Sequence, residues 1–225
     1  MKSHVFHSSI GWIYIYSSMS YSSYEILSAK KNNSNEIPAK HEAIMTRISA
    51  AAKRAGRNAT DVTLVAVSKM QPDANVQAVL DLGHKVFGEN RVQEAQARWG
   101  DRFSTYKESV ELRLIGPLQS NKLADAIALF DVIETIDREK LLKGLAKFSD
   151  GGQKLPRLYV QVNTGEEDQK SGVLPKNLPG FIKIMRNTYK LEPEGLMCIP
   201  PQNEAPSPHF WLLKKSFCLI SLLLD

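Results

Sequence analysis

From Ala39 onward, the apolar positions of the chain switch repeatedly between a helical and a strand-like period. Ile44, Ile48, Ala51, Ala52 and Ala55 recur at helical spacing and Gly56 follows, so the pattern predicts a helix closed by glycine. Next comes Val62-Thr63-Leu64-Val65-Ala66-Val67, a nearly continuous apolar run. Such a run predicts a strand buried on both faces, as in a parallel sheet. The alternation then repeats. A helix over 73–82 places Val76, Val79 and Leu80 together and stops at Gly83. A strand over 85–87 precedes a helix carrying Val92, Ala95 and Trp99, and a strand over 112–115 precedes Leu123, Ala124 and Ile127. Strands over 131–134 and 158–162 lead to Leu141, Leu142, Leu145 and Phe148, and to Leu178, Phe181, Ile182 and Met185. A sixth strand over 196–199 is followed by Pro206, which opens a helix towards Leu213.

Strands alternating with helices predict βαβ units and a parallel α/β sheet. Neither a GxGxxG nor a GxxxxGK[ST] turn is present, which disfavours an open nucleotide-binding sheet. Polar residues instead follow several different strands: Ser68-Lys69, Glu89-Asn90, Gln119 to Lys122, Asn163 and Met197. A site spread over many strand ends is the habit of a (β/α)8 TIM-type barrel. Each unit takes about 27 residues, so six of eight units are expected here and the barrel is expected to be incomplete. Residues 1–38 read as an N-terminal extension expected to be disordered, residues 39–213 as the partial barrel, and residues 214–225 as an apolar tail.

Charge and composition narrow the chemistry. The net charge of +5 admits an anionic ligand, but basic and acidic residues are interleaved, which argues against nucleic acid. Residues 1–35 lack the basic start and longer apolar stretch of a secretory leader, and 216–224 is too short to span a bilayer. Cys198 and Cys218 have no metal-binding spacing, and His84 and His209 have no ligand partners at such spacing, so no metal is expected. A cytoplasmic chain is the expectation.

Several residues admit two readings. Lys69, directly after its strand, is either a snorkelling surface lysine or an amine that attacks an aldehyde and forms a Schiff base. Asn90 either caps the next helix or presents its amide to a ligand. The run from Gly116 to Lys122 is a turn and helix start with exposed donors; Lys170-Ser171-Gly172 is a loop that could meet an anion; Met197 is core, with one face available to a ligand.

Taken together, VTLVAVSK (62–69), FGENRVQE (87–94), LIGPLQSNK (114–122), VQVNTGEEDQKSG (160–172), GLMCIPP (195–201) and PSPHF (206–210) resemble the pyridoxal phosphate homeostasis protein family. These are single-domain barrels similar to the N-terminal domain of alanine racemase. The resemblance implies a protein that holds pyridoxal 5'-phosphate on a lysine Schiff base, without catalytic turnover, and takes part in vitamin B6 homeostasis. It implies Lys69 as the Schiff-base lysine, with Asn90 and Met197 lining the same mouth. A small-molecule cofactor is the expected partner, and a monomer is the expected state, which the sequence itself does not fix. The chain departs from the family at Arg113, where a His is usual, and after Leu213, where the family's phosphate-gripping segment is not matched. Two other readings stand beside it: a truncated fragment unable to retain the cofactor, and a racemase or decarboxylase on the same barrel.

Overall fold

The computed structural model describes residues 12–14 and 36–224. The rest of the expected N-terminal extension, and Asp225, lie outside the described residues. The chain falls into two compact units, Met1–Val86 and Phe87–Asp225.

In the first unit, helix α1 (Ile37–Arg54) starts with Pro38 in its first turn and ends with Lys53 and Arg54, whose charges suit the negative end of a helix. Gly56, with φ +66°, supplies the left-handed residue that ends it. Of the expected apolar face only Ala52 is buried, while Ile44 stays exposed. The run 62–67 is not one strand but two short ones. Strand β2 (Val62–Leu64) pairs in parallel with β1 (Trp12–Tyr14), and β3 (Ala66–Val67) follows after the buried Val65. Both pieces are only half-buried, so the expected burial on both faces does not hold for this strand. Helix α2 (Asp73–Asp81) buries Val76 and Leu80 and is followed by Gly83 at φ +75°.

The second unit is built on a sheet whose strands stand in chain order: β4 (Val86–Glu89), β5 (Glu111–Leu114), β6 (Val132–Ile136), β7 (Arg157–Gln161) and β8 (Gly195–Met197). The pairings β5–β6, β6–β7 and β7–β8 are all parallel. Strands laid down in order, with no reversal, are how a barrel winds; a doubly wound sheet reverses part-way. The α/β barrel-type fold is therefore observed, as an incomplete barrel. All five residues of β6 are buried.

Helices cover the sheet through the residues that their spacing selects. Leu141, Leu142 and Leu145 of α5 (Glu139–Asp150) are fully buried, as are Leu178 and Met185 of α6 (Leu178–Asn187). Each contributes about 2 kcal/mol of burial. Helix α3 (Val92–Ala95) runs on into wider π-type turns over Gln96–Arg102, which bury Trp99 completely. Helix α4 (Leu123–Leu129) buries Leu123, Ala126 and Ile127. Helix α7 (Pro206–Leu224) continues through the segment set apart as an apolar tail.

Candidate functional site

Lys69 lies two residues past the end of β3, in a turn closed by the Gln71 amide donating to the Ser68 carbonyl (3.1 Å). Its side chain is half-buried. Among the described residues its amine has neither a hydrogen-bond nor an ion-pair partner. The next residue, Met70, has φ 57° and is 89% exposed, an unfavourable conformation for a long side chain with nothing packed on it. This turn stands ready to present an amine.

In the second unit the ends of three strands are joined through backbone. The Ile115 amide donates to the Glu89 carbonyl (2.9 Å), and the Thr135 hydroxyl donates to the Gly116 carbonyl (2.8 Å). A Cβ on Gly116 would stand 2.3 Å from the Asn90 carbonyl oxygen and 2.7 Å from its Cα. Only glycine fits that approach. Glu89, fully buried, accepts from the Trp99 indole (3.1 Å) with Arg98 at 3.9 Å, so its carboxylate serves to anchor the following turn.

Asn90 itself does not cap α3. Arg91 occupies that position and no side chain caps the helix, so the capping reading fails because Asn90 is one residue too early. Its half-buried amide has no partner among the described residues. Met197 is the last residue of β8 rather than a residue beyond it. It is buried, and its carbonyl accepts from Val162 (2.8 Å).

Several of the remaining polar candidates are occupied within the fold. Asn163 donates to the Glu167 and Lys170 carbonyls and accepts from the Glu167 amide, pinning the loop 163–172. Gln161 donates to the Ser171 carbonyl (3.2 Å), and Lys170 pairs with Glu167. Lys122 pairs with Asp125 (3.4 Å). Cys198 is buried, which pushes its thiol up to about 11 against a smaller opposing hydrogen bond with Thr164; it is held in its unreactive form. His84 pairs with His41 (3.3 Å) and contacts the Val86 carbonyl (2.9 Å), and burial lowers its pKa despite that bond. No group of three metal-ligating side chains occurs among the described residues.

One constellation escaped the sequence pattern. Arg113, almost fully buried on β5, donates to Glu111 and to Glu134 (3.0 Å), and Arg157 bridges Glu111 to Glu194. Burial works against the charged form of Arg113, yet the Glu134 and Glu111 carboxylates outweigh it and hold the guanidinium above its ordinary value. Burial also pushes Glu134 up, and Arg113 offsets that only in part. The signal was present in the sequence as charged residues inside strands of otherwise apolar character.

Comparison with known proteins adds to this geometry. The alanine racemase N-terminal domain family matches residues 40–213. A pyridoxal phosphate homeostasis protein from Escherichia coli strain K12 is 34% identical over 175 residues, covering 76% of this chain and 73% of that protein. The protein of the same name from Pseudomonas aeruginosa is 33% identical over 185 residues, covering 81% of this chain and 79% of its own length. Among solved structures, PipY of Synechococcus elongatus PCC7942 with pyridoxal phosphate (PLP) bound is similar at 27% identity and a TM-score of 0.62, covering 72% of this chain and 76% of that one. Among the described residues, no helix is long and apolar enough to cross a membrane.

Proposed function

The chain belongs to the pyridoxal phosphate homeostasis protein family, on the alanine racemase N-terminal-domain fold, and from that premise we propose that it binds pyridoxal 5'-phosphate and serves vitamin B6 homeostasis. When bound, the cofactor supplies an aldehyde that a primary amine can bond covalently. Lys69 is the residue proposed to hold it, with Asn90 and Met197 as further contacts.

The donor set suits such a ligand. Lys69 brings a half-buried amine, and Asn90 an amide that can both donate and accept; neither is used by another described residue. Both are half-buried and open to water, so a ligand can take them up without breaking a bond within the protein. Met197 adds a polarizable apolar contact. Each residue's part is to bind and orient. The protein is read as a carrier without turnover, acting as a cytoplasmic monomer through residues 39–213.

The observation that carries the reading is the Lys69 amine, two residues past its strand and without a partner among the described residues. Titration of the purified chain with pyridoxal phosphate, followed by absorbance of the bound cofactor, tests it. Saturable binding that Lys69→Ala abolishes is the expected result. Equal binding by wild type and Lys69→Ala would reject Lys69 as the attachment point, and steady turnover of an added amino acid would replace the carrier with an enzyme.

A further inference from the structure

The charges linked to Arg113 do not balance. Glu134, Arg113, Glu111, Arg157 and Glu194 alternate in sign along a continuous chain of ion pairs. It contains one more carboxylate than guanidinium. Exposure rises along the chain. The side chains of Glu134 and Arg113 are 0% and 5% exposed, Glu111 is 29% exposed, and Arg157 and Glu194 reach 41% and 44%. Water can therefore screen the outer members and cannot reach the innermost one. Glu134 is also the member with an idle oxygen. Its Oε1 accepts from Arg113, while its Oε2 is buried with no hydrogen-bond partner among the described residues.

An ionised Glu134 would hold its charge away from water with one oxygen unsatisfied, against a guanidinium that it shares with Glu111, which is a costly arrangement. A proton on Oε2 removes the excess and leaves Oε1 free to accept from Arg113. We infer that Glu134 is a proton-operated latch: at neutral pH it is a neutral acid that lets β5 and β6 close over Arg113, and loss of its proton puts an unbalanced charge between those strands.

The groups acting on Glu134 are Arg113 and Glu111 from β5, and Arg157 and Tyr159 from β7. Glu194, just before β8, acts through Arg157. Of these, Glu111 opposes ionisation of Glu134, Arg113 and Arg157 favour it, and burial outweighs both. The Tyr159 phenol is itself pushed up by burial and stays neutral alongside.

The sign of the pH dependence follows. Unfolded, Glu134 titrates as an ordinary glutamate; folded, it holds its proton to a higher pH. Between those two values folding takes up a proton. Stability therefore falls as pH rises through that window and is level on either side. The latch stands independently of cofactor binding.

Infrared spectroscopy of the full chain at neutral pH, in heavy water, reads the proton directly. The expected spectrum of the wild type contains a protonated-carboxyl band that Glu134→Gln removes. Glu111→Gln balances the charges, so it is expected to let Glu134 ionise and to weaken the same band severalfold. In denaturant melts, the wild type is expected to lose unfolding midpoint as pH rises, and Glu134→Gln is expected to remove that fall. A wild type without the band, or a band unchanged by Glu134→Gln, overturns the latch. Should a variant not fold, the wild-type band and its midpoint slope decide alone, and the absence of either overturns it.

Discussion

The strand end that carries Lys69 and the strand ends of the second unit are built on opposite plans. Past β3 the chain turns with the Gln71 amide on the Ser68 carbonyl, a methionine exposed at positive φ and a lysine amine without a partner among the described residues. Past β4, β5 and β7 it is locked. Gly116 is pressed onto Asn90 by backbone contact, Thr135 holds the Gly116 carbonyl, and Asn163 gathers a whole loop onto one side chain. The contrast teaches how the polar residues after strands divide. Those that satisfy backbone groups make the frame, and Lys69 and Asn90, without a partner among the described residues, are the ones proposed to meet a ligand.

The largest effect should come from breaking the lock. Gly116→Ala forces a Cβ into the Asn90 backbone, which cannot yield as a side-chain tip would, and is expected to destabilise the chain by about 3 kcal/mol in urea unfolding. Asn163→Ala removes three hydrogen bonds to loop backbone and should cost about 2 kcal/mol, with protease cleavage appearing within 163–172. Asn90→Ala separates frame from ligand. With no described protein partner for its amide, the unfolding midpoint should hold while pyridoxal phosphate binding weakens about tenfold. A midpoint loss as large as that of Asn163→Ala would place Asn90 in the frame instead. The smallest effect belongs to the bare turn. Met70→Gly relieves the positive φ and loses little packing, so it should raise stability by about 0.5 kcal/mol.

Much of this organisation was legible in the sequence, for reasons that differ by element. The sheet strands of the second unit were visible because an apolar run between turn residues has few alternatives, and β6 and β7 shift by only one or two residues from their predicted bounds. The first strand was misjudged because a nearly continuous apolar run says nothing about a break at Val65, and half-burial depends on what covers the strand. Asn90 stood open between a cap and a ligand contact because asparagine before a helix is usually a cap; a one-residue offset in the helix start rules out the cap. Asn163 gave no sign that its amide would be consumed by its own loop. The latch was hidden for a different reason. Arg113 and Glu134 are 21 residues apart, and only the lateral pairing of β5 with β6 makes them partners.

The central claim is that the amine after β3 is the attachment point for pyridoxal phosphate. Its most direct test is borohydride reduction of the chain mixed with the cofactor, then peptide mass mapping of every lysine. The account predicts one reduced cofactor adduct, on the peptide containing Lys69, at substoichiometric cofactor and before any other lysine is labelled. Labelling spread evenly over surface lysines, with Lys69 no more modified than the rest, would contradict it.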